Sequence, residues 1–159
     1  MSEHPVPPAA HLEDIGLRGI DHVGVAVADL DQAVDFYQRV FGMRCIRIEE
    51  NADEGVREAT MSVGPDPVAG RLQLLAPLSP HSTIARFLDR QGPGLQQIAY
   101  RVADLDVACE KLRSRGVRLI HKTPRRGTAG SRINFIFPQD AGGVLVELVE
   151  QPSADFAVH

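Results

Sequence analysis

The chain shows the same pattern of hydrophobic and polar positions twice. The run Val27-Ala28-Asp29-Leu30-Asp31 recurs letter for letter at Val102–Asp106, 75 residues later. An apolar run precedes each copy, and a helical pattern that ends at a glycine follows each copy. Self-similarity at a fixed spacing is typical of a repeated structural unit. The sequence therefore predicts two tandem modules of about 75 residues.

The first module is predicted to have the order β-α-β-β-β. β-branched and small residues predict a strand over Ile20–Val27. Asp29 or Asp31 then caps a helix whose apolar positions recur every three or four residues, and Gly42 ends that helix. Turns rich in Gly, Pro, Asn and Asp separate three further strands, at 44–49, 56–63 and 71–76.

The second module repeats this order after a short connecting helix capped by Ser82. Its helix is predicted at 105–115, and its strands at 95–102, 117–121, 132–137 and 144–150. The segment Lys122–Gly130 is predicted to be a long basic loop. Because one helix covers only one face of each module, the modules must pair to bury the other face. The predicted fold class is α+β, with two tandem β-α-β-β-β modules forming a cleft.

Length and composition indicate a single-domain globular protein. The 159 residues are 24% charged and 43% hydrophobic, which are ordinary values. We expect a flexible arm at 1–17, one domain at 18–151 with modules at 18–78 and 94–150, and a tail at 152–159. The formal net charge of -4 argues against a nucleic-acid partner, and no apolar run is long enough to span a membrane. Two isolated cysteines are typical of reduced thiols, so a cytoplasmic location is expected.

Four polar side chains interrupt apolar strands at positions that the repeat relates in pairs. His22 in module one corresponds to Gln97 in module two, and Gln73 corresponds to Glu147. A polar group in such a strand is costly to bury unless it is paired or bound to something. An imidazole, a carboxylate and two amide oxygens at one point of a cleft could bind a divalent cation. Alternatively, each side chain faces solvent from a half-exposed strand.

Further runs extend the pattern over about residues 18–151. They are Ile20–Val27, Phe36-Tyr37, Phe41-Gly42, Glu54–Glu58, Leu74–Leu78, Ser82–Ala85, Phe87-Leu88, Gly116-Val117, Arg132–Phe135 and Gly142–Leu148. Together they resemble the vicinal oxygen chelate superfamily, which includes glyoxalase I and extradiol dioxygenases. Within that superfamily the combination most resembles methylmalonyl-CoA epimerase.

The resemblance implies a divalent metal ion held by His22, Gln73, Glu147 and the residue at 97. It also implies that Glu58 and Glu147 are the two acid/base groups in the epimerisation of methylmalonyl-CoA or a close 2-substituted acyl-CoA. A metal at the thioester oxygen would stabilise the enolate, and inversion needs one base on each face. A homodimer is implied as well. Without the resemblance, the sequence would indicate only an ordinary surface glutamate at Glu58.

This chain departs from the family at two positions. Histidines usually stand where it has Gln96-Gln97, and a histidine often stands where it has Phe137. Because an amide oxygen is a weaker and harder donor than imidazole, we expect looser metal binding, with Co, Mn or Mg as the candidates and a shift towards Mn or Mg.

The sequence leaves open two alternative functions and the role of one basic segment. One alternative function is a related acyl-CoA isomerase or lyase with an altered metal site. Another is a non-catalytic small-molecule-binding protein, which would need neither the metal nor Glu58. The basic segment 121–126 either is solvated or meets the phosphates of coenzyme A.

Overall fold

The computed structural model describes residues 14–66 and 70–153. The strands are β1 (Leu17–Ala26), β2 (Arg44–Asn51), β3 (Val56–Ser62), β4 (Arg71–Pro77), β5 (Gly94–Val102), β6 (Arg125–Arg126), β7 (Arg132–Ile136) and β8 (Val146–Glu150). The helices are α1 (Leu30–Phe41), α2 (Thr83–Gln91) and α3 (Leu105–Ser114). The predicted arm at 1–17 and tail at 152–159 lie mostly outside the described residues. None of these helices is long and apolar enough to cross a membrane.

The eight strands form one sheet, in the order β2-β3-β4-β1-β5-β8-β7-β6. In each module the first strand runs parallel to the last, since β1 pairs with β4 and β5 pairs with β8. The two modules join where β1 and β5 pair antiparallel. The strand order is therefore the same in both modules when it is followed from the β1–β5 junction to each edge of the sheet. This arrangement confirms the α+β fold of two modules, with one continuous sheet where two were expected.

The predicted strand at 117–121 is wrong. Its only sheet-type pairing among the described residues is a single bridge between Leu119 and Ile136. The next residues leave the sheet because the buried Asn134 side chain bonds the backbone of His121, accepting from its N–H at 3.1 Å and donating to its carbonyl at 2.9 Å. The edge strand of this module is β6, which lies inside the segment predicted to be a loop.

Each module packs its helix against one face of the sheet. Leu74 on β4 lies under α1 and Leu148 on β8 lies under α3, and both side chains are at most 1% exposed. The repeat relates these two leucines. Successive side chains on a strand point to opposite faces, so their neighbours Gln73 and Glu147 project to the other side of the sheet. The packing of the helices therefore fixes which residues face the cleft.

We expect the two helix caps to make equal contributions to stability. Asp29 accepts a hydrogen bond from the N–H of Gln32 at 3.0 Å, and Asp104 accepts one from Val107 at 3.1 Å. Replacing either aspartate by alanine should lower the free energy of unfolding by about 1 kcal/mol, measured by urea denaturation. Asp35→Ala, in the middle of α1, is the control and should change it by less than about 0.5 kcal/mol. An equal loss for the control would show that capping is not the cause.

Candidate active site

Two neighbouring rows of the sheet bring the four polar side chains together. Each row crosses three strands and has a small residue in its middle. The rows are Gln73–Gly24–Gln97 and His22–Ala99–Glu147. Paired residues on neighbouring strands present their side chains on the same face, so all four polar groups point into the cleft. The small Ala99 lets His22 and Glu147 reach each other, and Gly24 leaves room for the Gln97 side chain.

Gly24 is required by this close approach. A Cβ atom at this position would lie 2.5 Å from Cγ of Gln97, well inside the normal contact distance between carbon atoms. The side chain of Gln97 therefore lies directly over the backbone of β1. We expect any side chain at residue 24 to displace Gln97 from the site.

The orientation of the His22 ring is fixed by a buried carboxylate. Nδ1 of His22 lies 2.7 Å from Asp21, whose other oxygen accepts hydrogen bonds from Arg101 and Gln151. Burial alone would raise the pKa of Asp21, but the hydrogen bonds from His22 and Gln151 and the charge of His22 hold it well below its usual range. Because Nδ1–H is engaged by Asp21, Nε2 is the atom that His22 directs towards the cleft.

Nε2 of His22 meets Glu147 and Gln97. It lies 3.1 Å from Oε2 of Glu147 and 3.3 Å from the amide nitrogen of Gln97, which also donates to Glu147. Burial lowers the pKa of His22, but the charge of Glu147 and the hydrogen bonds to Asp21 and Glu147 outweigh burial and raise it. A cation that bound to Nε2 would therefore have to displace a proton from this ring.

Gln73 and Glu58 are joined through a residue that the sequence did not single out. The hydroxyl of Thr128 accepts a hydrogen bond from the Gln73 amide at 3.1 Å and donates one to Oε1 of Glu58. Thr128 comes from the segment between β6 and β7, whereas its two partners lie on β4 and β3. Sequence alone carried no signal for this contact, because it depends on how one module closes over the other.

Glu58 is a buried carboxylate with a high proton affinity. Its side chain lines the main cavity, and the residue is 5% exposed. Burial raises its pKa to about 7; the hydrogen bond from Thr128 opposes this rise, and the charges of Glu147 and Glu49 add to it. At neutral pH both protonation states are therefore populated, which suits a group that gives and takes a proton.

The donor set fits a divalent cation in its chemistry. His22 offers a nitrogen, Glu147 a carboxylate oxygen, and Gln73 and Gln97 amide oxygens. At Gln97 the amide nitrogen now faces His22 and Glu147, and a half-turn of the terminal amide would present the oxygen instead. Within 14–66 and 70–153 no cluster of three His, Cys, Asp or Glu residues is placed to hold a metal. Two amides stand where such a cluster would need acidic or imidazole ligands, and this favours harder ions.

The cavity has a polar end and apolar walls. Its volume is about 740 Å³, including the open mouth. Gln73, Gln97, Glu58 and Glu147 line it, together with Leu75, Ile133, Phe135 and Leu145. His22 lies beneath, beside a smaller cavity that also reaches Glu147 and Asp21. The structure thus places all five sequence-predicted site residues in and around one cleft.

Comparison with known proteins places the chain in a family. The profile of the Glyoxalase/Bleomycin resistance protein/Dioxygenase superfamily matches residues 21–135. The chain therefore belongs to this superfamily.

Within the superfamily the chain is similar to methylmalonyl-CoA epimerases. The crystal structure of the Mycobacterium tuberculosis enzyme shares 52% identity, covers 93% of this chain and 98% of its own, and superposes with a TM-score of 0.84. A variant of the Streptomyces coelicolor enzyme, in complex with 2-nitronate-propionyl-CoA, shares 40% identity with coverage of 87% and 100% and a TM-score of 0.82. The human mitochondrial enzyme is 31% identical over 133 residues, which are 83% of this chain and 73% of that protein. These relatives confirm the resemblance found in the sequence.

Proposed function

We propose that this protein epimerises methylmalonyl-CoA at C2. The observation that carries the proposal is a pair of carboxylates that approach one cavity from opposite halves of the sheet. Glu58 lies on β3 and Glu147 lies on β8, on either side of the central strands β1 and β5. The similarity to methylmalonyl-CoA epimerases over almost the whole chain supports this choice of substrate.

The two carboxylates have complementary roles in this proposal. C2 of the substrate lies between a thioester and a carboxylate, so loss of its proton gives an enolate. Glu58 removes the proton from one face, and Glu147 returns a proton to the opposite face; the reverse reaction exchanges these roles. Because the Thr128 hydroxyl holds Oε1 of Glu58, Oε2 is left for the substrate. One proton leaves and one arrives, so the reaction needs no other reactant.

A divalent metal ion completes the proposed site. Enzymes of this superfamily typically use one, and here His22, Gln73, Gln97 and Glu147 would hold it, with Mn, Co or Mg as the candidates. When bound, the ion supplies positive charge that favours the enolate oxygen. The apolar walls formed by Leu75, Ile133 and Phe135 exclude water, which strengthens every charge interaction inside the cavity.

The alternative of a non-catalytic binding protein does not explain why the Glu58 carboxylate is buried and has a raised pKa. A carboxylate with its pKa raised to about 7 by burial lowers the stability of the folded state above that pH. A protein that only holds a small molecule gains nothing from this cost. The related acyl-CoA isomerase or lyase with an altered metal site shares the enolate and differs from the proposal in its substrate or in what becomes of the enolate.

The direct test is conversion of one epimer into the other. Purified protein reloaded with Mn²⁺, Co²⁺ or Mg²⁺ is incubated with a single epimer of methylmalonyl-CoA, and the second epimer is measured by chiral chromatography against time. We expect metal-dependent conversion to an equal mixture. Failure with all three ions, together with activity on another 2-substituted acyl-CoA, would favour the alternative isomerase.

We expect Asp21→Asn to weaken metal binding. The variant replaces the negative charge that orients His22 through Nδ1, and loss of such a supporting group typically lowers metal affinity about 10–100-fold. Calorimetric titration of the stripped protein with Mn²⁺ measures the affinity without reference to activity. Asp35→Asn, on the exposed side of α1, is the matched control. Equal affinities for the wild type and Asp21→Asn would contradict the proposed role of His22 as a ligand.

Two further expectations remain predictions. A homodimer is implied by the family resemblance and can be checked by sedimentation equilibrium. A cytoplasmic location is consistent with Cys45 and Cys109, which are both free thiols.

A further inference from the structure

The cavity contains a second polar cluster besides the acid/base pair. It consists of Glu54, Gln96 and His121, each of which lines the cavity. Oε1 of Glu54, Oε1 of Gln96 and Nε2 of His121 are buried, and none has a hydrogen-bond partner within the described part of the chain. Buried polar atoms are nearly always hydrogen-bonded to protein or water, so three such atoms around one space mark a polar part of the cavity that is open to a polar group of a ligand.

The cluster is assembled from both modules and is held in place by its surroundings. Glu54 lies in the turn between β2 and β3, where its backbone N–H donates to Asn51. The buried Asn134 fixes the backbone of His121, and the His121 ring lies edge-on to Phe135 with 6.1 Å between the ring centres. These supports hold the backbone of Glu54 and the ring of His121 in place independently of each other.

Glu54 and His121 are neighbours that do not satisfy each other. Oε1 of Glu54 lies 3.6 Å from Nε2 of His121, which is too long for a hydrogen bond. Burial and then the charge of Arg125 lower the pKa of His121, which favours the neutral imidazole. Burial also raises the pKa of Glu54. The pair therefore places a buried carboxylate oxygen beside a ring that, in its neutral form, can donate through Nε2–H.

This pattern of donors and acceptors favours one part of an acyl-CoA. The malonyl carboxylate offers only acceptors, which the oxygens of Glu54 and Gln96 would repel. The pantetheine arm carries a secondary amide a short ethylene spacer away from the thioester sulfur. Such an amide can donate its N–H to a carboxylate or amide oxygen and accept from an imidazole N–H. The cluster and the acid/base pair lie in the same cavity, as this connection requires.

We infer that Glu54, Gln96 and His121 form a subsite that binds the pantetheine amide nearest the thioester and so orients C2 between Glu58 and Glu147. The inference rests on the proposed function. These three residues would therefore recognise the pantetheine arm of the substrate and not its reacting carbon.

The test compares two truncated substrates. Methylmalonyl N-acetylcysteamine thioester keeps this amide and little else of coenzyme A, and methylmalonyl S-pentyl thioester replaces the amide by methylene groups of similar length. The wild type should show a kcat/KM about 10–100-fold higher for the amide substrate, because the subsite is left unsatisfied by the alkyl chain. Equal values for the two substrates would overturn the inference.

Two variants locate the preference in the cluster. Glu54→Met and His121→Phe keep the size of each side chain and remove the polar atom, and each should lower kcat/KM for the amide substrate about 10-fold, mainly through KM. Their kcat/KM for the pentyl substrate should stay within about 3-fold of the wild type, since that substrate has no group to lose. Glu50→Met and His81→Phe, at exposed positions, are the matched controls. Thermal unfolding checks that each variant is folded.

The outcomes separate the inference from the proposed function. Activity on methylmalonyl-CoA with an equal loss on both truncated substrates would overturn the subsite and leave the epimerase proposal standing. No activity of the wild type on methylmalonyl-CoA would overturn the epimerase proposal, and the subsite with it. A loss confined to the amide substrate supports both.

Discussion

Glu58→Gln is expected to lower the rate of epimerisation by about 10²–10⁴-fold, the range in which a positioned acid or base contributes. The variant keeps the shape of the side chain, and its amide oxygen still accepts from Thr128, so the cavity should be undisturbed. The amide cannot take or give the C2 proton. Conversion of one epimer of methylmalonyl-CoA to the other, followed by chiral chromatography, measures the loss.

The same variant should separate the two halves of the reaction. With Glu58 removed, Glu147 can still take the C2 proton of the epimer that presents it on that face. Exchange of C2–H with D₂O should therefore survive for one epimer and be lost for the other. Glu147→Gln should show the opposite preference. Equal loss of exchange with both epimers in both variants would contradict the assignment of one base to each face.

Glu58→Gln should also make the metal-free protein more stable above neutral pH. A folded-state pKa of about 7 in place of 4.5 means that the folded protein binds this proton more tightly than the unfolded chain does. The stability of the wild type therefore falls as pH rises from 4.5 to about 7, by a total of about 3 kcal/mol, and stays low above that range. The variant lacks this loss. Its free energy of unfolding should match the wild type near pH 4 and exceed it by up to about 3 kcal/mol at pH 8.

Urea denaturation across this pH range, in the presence of a chelator, measures the difference. Glu50→Gln, at an exposed position on β2, is the matched control and should follow the wild type at every pH. A Glu58→Gln profile parallel to that of the wild type would mean that Glu58 is not buried as a weak acid. Together with the kinetic result, a gain in stability would show that this residue is kept for chemistry at a cost to the fold.

The internal repeat made much of the fold and of the candidate site predictable. It related His22 to Gln97 and Gln73 to Glu147, and equivalent positions in two paired modules come to lie around one axis. It did not show that Gly24 and Ala99 occupy the middle of the two rows, although both lie in the matched strands. That detail depends on which strands lie on either side of β1 and β5, and the sequence did not show these pairings.

The side-chain contacts between distant parts of the chain were not predictable. Thr128 joins Gln73 to Glu58 from a segment that looked like a basic loop, and His121 was assigned to a strand that Asn134 interrupts. These contacts join residues 13 to 70 positions apart, and in each of them one partner, Thr128 or His121, lies outside the strands. No periodicity marks such residues, because their partners are set by the tertiary packing of the loops against the sheet. Asp21 was missed because the sequence did not show that this acidic residue is buried within β1 beside His22.

The central claim is that two carboxylates act on opposite faces of C2, and the isotope content of the product tests it most directly. A single unlabelled epimer of methylmalonyl-CoA is incubated in D₂O with the metal-loaded wild type, and the reaction is stopped at low conversion. We expect the newly formed epimer to carry deuterium at C2 while the remaining starting epimer still carries hydrogen, because separate groups remove and return the proton. A product epimer that retains the original hydrogen would mean that one group carries the proton across, and would contradict the account.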